Sequence, residues 1–448
     1  MERMRAWLTE EVPRLIDKHG VPGAAVALLV DGEIVDVAAG VLNRRTGAAA
    51  TTDSLFQIGS ITKLWTTALV MQLVDDHVIE LDDPVTQHLP DLRLRDDRIT
   101  IRQLLNHTNG LDGDVLTHTT RGDDAIAVYA DTVVPQLAQI TPPGTAFSYC
   151  NSAYVILGRL VEVLRGKPFH ALVRERIADR LELTHLATIP EEALLHSTAV
   201  GHLPDGQPAP VWNLPASIAS AGSLLSTNAR SLTTFAAAHL DGNHLLSDAA
   251  ISTLWTSDVD VPDIGSFARK WGVGWASFDW DGAQVVGHDG GTIGQTAFLR
   301  VVPQAGVAVA VLTNGGTAGL FADEVFSHVL GDLASVRPSA PATPPIDPEP
   351  VDAGLVTGTY TAPALRLEIT VDSSGRASVR MSPVSEEMRM TMPEPVTREL
   401  VRFDDHRLIS LEPGSSGRHE VYAFDDEGGP ASFVFVGGRL FPRDALCP

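Results

Sequence analysis

Ser60 and Lys63 stand three residues apart in Gln57-Ile58-Gly59-Ser60-Ile61-Thr62-Lys63, a stretch that reads as a strand or loop running into a helix through Val74. Residues three apart on a helix share a face, so the Lys63 amine falls within reach of the Ser60 hydroxyl. A serine is a weak nucleophile until a neighbouring base takes its proton. A lysine whose pKa is lowered by burial can be that base. Gly59 permits the tight approach to the helix, and the helix N-terminus adds partial positive charge beside the attacking oxygen. An isolated Ser-x-x-Lys also fits a capping serine backed by a surface lysine. Two features argue against that here. The chain holds only four lysines, Lys18, Lys63, Lys167 and Lys270. Lys63 also lies among Ile61, Leu64, Trp65, Ala68 and Leu69, where an unpaired lysine is costly.

A second pair of interest is Tyr149 and Asn151. Residues 142–154 read as a turn, a short extended piece and a helix start, so the two side chains point the same way. A tyrosine near an ammonium has a depressed pKa and can shuttle protons. An asparagine amide can hold both a lysine and a substrate carbonyl. Alone, Tyr-x-Asn would be a turn. Cys150 points the other way and reads as packing rather than a nucleophile. A third stretch, Val285 to Gly294, carries His288 among glycines 287, 290, 291 and 294, which suit close approach of a ligand to a strand edge. His107 follows a short helix with a Thr100 N-cap and reads as bracing its loop rather than as catalytic.

The elements that must position these groups follow from periodicity. Residues 5–19 form an amphipathic helix, with Pro13 expected to start a new turn or to kink it. Ala24 to Val30 and Glu33 to Val41 form a hairpin across Asp31-Gly32, a favoured two-residue turn. A mostly helical region runs to about residue 240. Within it, residues 217–227 form a small-residue stretch beneath some site. Strands begin near Trp271, include Thr296 to Val302 and Val307 to Thr313, and are closed by a helix over 323–333. Residues 335–350 are rich in Pro and Ala and read as a linker. Beyond them, short alternating runs between residues 358 and 440 read as a small antiparallel barrel or sandwich with no catalytic constellation of its own.

The chain has 448 residues, 44% hydrophobic and 20% charged, enough for two or three globular domains. A formal charge of -23 makes nucleic acid and anionic membrane poor partners. Cys150 and Cys447, the two cysteines, make neither a disulfide framework nor a metal motif. No apolar run is long enough to span a bilayer, and the start lacks an apolar leader. A native start at Met1 predicts a cytoplasmic protein.

The order and spacing of Ser60-x-x-Lys63, Tyr149-x-Asn151 and His288-x-Gly290 resemble the serine β-lactamase and penicillin-binding-protein superfamily. The closer likeness is to its class C branch of esterases, D-aminopeptidases, DD-peptidases and transacylases. The likeness covers roughly residues 5–333, and the C-terminal unit resembles the lipocalin-like domain of some members. The fold it implies is α/β (α+β): an antiparallel sheet flanked by helices, an all-helical subdomain and a small C-terminal antiparallel β-barrel. The expected divisions are 1–334 for the acyl-transfer domain, 335–350 for the linker and 351–448 for the barrel.

Carried over, the resemblance implies acyl transfer through an acyl-enzyme on Ser60, with Lys63 and Tyr149 sharing the role of base. Asn151 would position Lys63 and the acyl part. His288 and Gly290 would form the third motif, with the oxyanion hole at the backbone N–H groups of Ser60 and Gly291. No metal or cofactor is implied. Asp289 departs from the pattern: a carboxylate beside the pocket should repel an anionic substrate, which ranks a β-lactamase activity low. Three readings remain. One is hydrolysis of a small-molecule ester or amide. Another is a transacylase passing the acyl group to an amine or alcohol as second substrate. The third is a catalytically idle sensor or scaffold.

Overall fold

The computed structural model describes the chain apart from residues 241–244, 257–258, 266, 415, 426–427 and 445–448, so Cys447 lies outside the described residues. A nine-stranded sheet forms its centre. Gly23–Val30 is an interior strand, paired on one side with Glu33–Asn43 and on the other with Val307–Thr313. Thr296–Val302, Ala283–Gly291 and Ala276–Trp280 follow in antiparallel order. The hairpin turn has φ 52° at Asp31 and 76° at Gly32, the left-handed pair that matches strand twist.

Two helices, Glu2–Lys18 and Ala318–Ala334, cover one face. Leu8, Val12 and Leu15 share an apolar cluster with Phe321, Val325 and Val329. The first helix runs unbroken through Pro13, so the expected new turn is absent. The other face carries Thr62–Asp75, buried at every position from Thr62 to Leu73. A helix enclosed on all sides needs no polar stripe, and Trp65 stacks on Phe235 with ring centres 4.4 Å apart. Asn151–Arg165 packs beside it within the helical region. Thr100 and Gln103 form a reciprocal capping box at Ile101–Leu105.

The C-terminal unit is a barrel rather than a sandwich. Eight strands from Gly358 to Pro442 pair each with the next, and a bridge between Tyr360 and Arg443 brings the two ends together. Its interior holds Tyr360, Leu367, Val379, Tyr422 and Val434. Its outer side shares one apolar cluster with the large sheet through Val401, Ile409, Val421 and Phe435. Arg407 pairs with Asp263 at 2.8 Å, and Arg418 with Asp323 at 2.5 Å. Among the described residues, no helix is long and apolar enough to cross a membrane.

Candidate active site

Ser60 sits in a single 3-10 turn, Gly59–Ile61, that leads into the buried helix. Gly59 has φ 52°, and a Cβ there would come within 2.5 Å of the Gly291 nitrogen. A Cβ on Gly290 would lie 1.9 Å from the Ile58 oxygen, and one on Gly222 would lie 2.3 Å from the Gly59 oxygen. The turn is therefore clasped between the end of the inner strand at 290–291 and the small-residue stretch at 221–222. Only glycines allow this approach. A Cβ on Gly291 would meet nothing within 4 Å, so open space lies on that side of its backbone.

The Lys63 side chain is 0% exposed. Its Nζ lies 3.2 Å from Ser60 Oγ, 2.7 Å from Asn151 Oδ1 and 2.6 Å from the Ala221 carbonyl oxygen. Desolvation drives its pKa well below the usual lysine value, and the Arg439 charge lowers it further, while Asp114 opposes the shift. Tyr149 faces Ser60 with its hydroxyl just outside close hydrogen-bond geometry. Its ring lies 4.8 Å from Lys63 Nζ. The expected depression of the tyrosine pKa is not found: burial raises it above its usual range, against weaker pulls from Ser60 and Arg439. A phenolate in so dry a site costs more than the neighbouring cation returns.

Asn151 opens its helix. Its Oδ1 accepts from Lys63, and its Nδ2 donates to Asp114 through a short bond. Asp114 in turn pairs with Arg439, Oδ2 to Nε at 2.8 Å. His288 is buried, its Nδ1 bonded to the Asp289 carbonyl at 2.5 Å. Burial, then the Lys63 charge, lowers its pKa to about 3. A neutral ring that donates from Nδ1 leaves Nε2 as an acceptor. That nitrogen has no hydrogen-bond partner among the described residues.

Ser60, Tyr149, Asn151, His288, Gly290 and Gly291 line one cavity of about 770 Å³, with Lys63 directly behind Ser60. His107 does brace its loop: it adopts φ 61°, accepts from the Cys150 backbone N–H at 3.1 Å, and lies 4.3 Å from the Tyr149 ring. Cys150 points away and accepts from the Ala153 N–H, capping the Asn151 helix, with its thiol pushed up to about 12 by burial.

Asp289 is not the free carboxylate its position suggested. Arg300, 5% exposed, grips it with both terminal nitrogens at 2.5 and 3.2 Å. The same guanidinium lies 3.8 Å from the Phe278 ring centre. The pairing offsets the repulsion expected of Asp289.

Three groups at the cavity escape a reading of local spacing. Asp112 and Asp114 line it, as does Arg439 from the barrel. Arg439 lies 5.0 Å from the Tyr149 ring centre. The turn before it is held by Tyr149 N–H donating to Gly438 O at 2.9 Å and by Leu440 N–H donating to Ser148 Oγ at 3.2 Å. Asp112 has no ion pair among the described residues, and burial together with the Asp114 charge raises its pKa to about 7. The Asp112-Gly113-Asp114 spacing was visible in the sequence, but nothing local connects it to Arg439.

Residues 8–327 match the family model described as Beta-lactamase. The chain is similar to Penicillin-binding protein 4 of Amycolatopsis lactamdurans, 44% identical over 367 residues, covering 78% of this chain and 96% of that protein. The crystal structure of SurE with D-Leu superposes with a TM-score of 0.77 at 26% identity, covering 99% of this chain and all of that one. A D-stereospecific amidohydrolase from Streptomyces sp. gives a TM-score of 0.58 at 26% identity, covering 74% of this chain and 98% of that one.

Proposed function

This chain belongs to the Beta-lactamase family, within the serine β-lactamase and penicillin-binding-protein superfamily, and from that premise we propose that it hydrolyses an amide or ester through an acyl-enzyme on Ser60. The observation that carries the reading is the surroundings of the Lys63 amine. Asn151 Oδ1 and the Ala221 carbonyl can only accept hydrogen bonds from it. A neutral amine has two N–H groups, so once both are engaged its lone pair is left for Ser60 Oγ, 3.2 Å away. Burial favours that neutral state.

Lys63 takes the Ser60 proton as Oγ attacks the carbonyl carbon. The developing oxyanion is met by the backbone N–H groups of Ser60 and Gly291. Tyr149 passes the proton to the leaving amine or alkoxide as the C–N or C–O bond breaks. Water then attacks the acyl-enzyme, gives its proton to the same pair, and Ser60 recovers its own as the acid departs. Asn151 holds Lys63 and lies beside the acyl part. His288 Nε2 accepts a hydrogen bond from the substrate or from Tyr149. The same reading divides the chain into an acyl-transfer unit over 1–334, a linker over 335–350 and a barrel over 351–448. Similarity to SurE, crystallised with D-Leu, and to a D-stereospecific amidohydrolase supports a substrate with a D-configured residue, which we place on the acyl side.

A second reading, transfer of the acyl group to an amine, is favoured by Asp112. Among the described residues its carboxylate has no cation of its own in the cavity, and an acceptor's ammonium group would provide one.

The test uses p-nitrophenyl esters of N-acetyl-D-phenylalanine and its L enantiomer, with wild type and Ser60→Ala, with and without amines, and products read by mass spectrometry. Ser60-dependent release with preference for the D ester and free acid as product is the expected result. An acylated amine as main product would favour the transacylase. Absence of any Ser60-dependent release, together with no labelling of Ser60 by a fluorophosphonate, would sink both readings and leave the idle scaffold.

A further inference from the structure

The cavity that holds Ser60 does not end at the catalytic unit. Leu365, Leu367, Met381, Met388, Met392 and Leu440 of the barrel line the same space. At about 770 Å³ it lies in the upper part of the range of roughly 300–1,000 Å³ typical of sites for drug-sized ligands. A free amino acid amide would leave much of it empty.

Composition points the same way. Four of the seven methionines, Met381, Met388, Met390 and Met392, fall between residues 381 and 392, and three of them line the cavity. Methionine is unbranched and adaptable, and suits a wall that must fit apolar groups of varied shape. The polar groups on the barrel side are engaged with one another. Arg398 pairs with Glu420 at 3.6 Å, and the Tyr422 hydroxyl donates to Glu420 Oε2 at 3.0 Å. Among the described residues that line this end of the cavity, the rest of the surface is apolar and no charged side chain is left unpaired.

We propose that the barrel mouth is an acyl-side subsite, and that the substrate carries an extended apolar chain beside its reacting carbonyl, reaching from Ser60 into the barrel. The assignment to the acyl side rests on the proposed reading of Asn151, which Asp114 and Arg439 tie to the barrel. The chain is either a fatty acyl group or the apolar side chains of a capped peptide.

The test measures kcat/KM of the full-length protein for p-nitrophenyl acetate, p-nitrophenyl octanoate and the p-nitrophenyl ester of an N-acetylated D-Leu-D-Phe dipeptide. Each buried methylene contributes about fourfold, so either long substrate should exceed acetate by roughly thirtyfold or more in wild type. Which of the two leads distinguishes a peptidyl from a fatty acyl chain. Leu365→Trp, which narrows the mouth, and Met388→Lys, which puts a charge there, should each reduce the long-to-short ratio by about tenfold. Taking a ratio removes any general loss of folded enzyme. A wild-type ratio near one, or a ratio that neither variant lowers, would overturn the subsite. Such a result with Ser60-dependent acetate turnover would leave the acyl-enzyme reading standing, whereas loss of all Ser60-dependent turnover would strike that reading itself.

Discussion

The cavity has two walls, and they are built differently. On one side, Ser60, Lys63, Tyr149, Asn151 and His288 sit on a buried helix, a helix start and an inner strand, and the Lys63 amine is enclosed by partners from three segments. On the other side, the barrel contributes flexible apolar side chains, the Arg398–Glu420 pair, and Arg439 on a hairpin held by two hydrogen bonds to residues 148 and 149. The first wall holds its groups at the fixed distances that the proposed acyl transfer would require. The second is adaptable, as suits recognition of a bulky apolar group. They meet at one polar chain, Lys63 to Asn151 to Asp114 to Arg439.

The largest effect should come from the first wall. Ser60→Ala is expected to lower ester turnover by about 10⁴-fold or more, and Lys63→Ala by a similar amount, because members of one catalytic unit fail together. Single-turnover kinetics with mass detection of the acyl-enzyme checks both. A loss under tenfold for either would break the division of labour between the walls.

Arg439→Gln probes the joint. Its charge helps to lower the Lys63 pKa. Without it that pKa rises, so Lys63 stays protonated to higher pH and the acid limb of kcat/KM moves upward. The expected loss at neutral pH is about tenfold, or about 1.4 kcal/mol. Asp114→Asn in the same background should recover part of it, since it removes the carboxylate left unpaired. An unmoved acid limb would mean that the barrel only packs against the site.

Arg300→Met tests the inner edge. It would release the Asp289 carboxylate toward the cavity, raising KM for an anionic substrate by roughly fivefold relative to a neutral one. Comparing esters with and without a carboxylate measures this. Equal KM changes would mean that Asp289 does not reach the ligand.

The smallest effect concerns Asp112. Its folded pKa is raised to about 7, so between the usual carboxylate value and about 7 the folded state binds more protons than the unfolded one. Stability should therefore fall as pH rises through that window. Asp112→Asn should flatten the fall, stabilising at pH 7.5 by about 1 kcal/mol. Thermal unfolding at pH 4.5 and 7.5 gives the comparison, and parallel curves for the two proteins would count against it.

The first wall was largely legible in the sequence because its signals are local. A serine three residues before a lysine in an apolar helix, and a tyrosine two before an asparagine, specify shared faces through the periods of helix and strand. The Asp31-Gly32 hairpin and the Thr100 cap were readable for the same reason. Asp289 was misjudged because its partner, Arg300, lies across a strand pair, and the charge of a group depends on what faces it. The direction of the Tyr149 shift was misjudged because proximity to Lys63 was visible and the depth of burial was not. The strand Val396–Arg402 was missed since its alternation is carried by Thr, Arg and Glu rather than apolar residues.

By itself, the sequence determined which side chains could act as nucleophile and base, the helix and strands that carry them, and a separate C-terminal run of short strands. Backbone periodicity and turn chemistry are properties of neighbours along the chain. Only the tertiary structure decided that the first strand sits inside the sheet against residues 307–313, that Gly59 packs on Gly290 and Gly291, and that Arg439 reaches Asp114 and Tyr149. Those contacts join residues hundreds of positions apart. Packing, desolvation and charge act through space, and no local pattern records them.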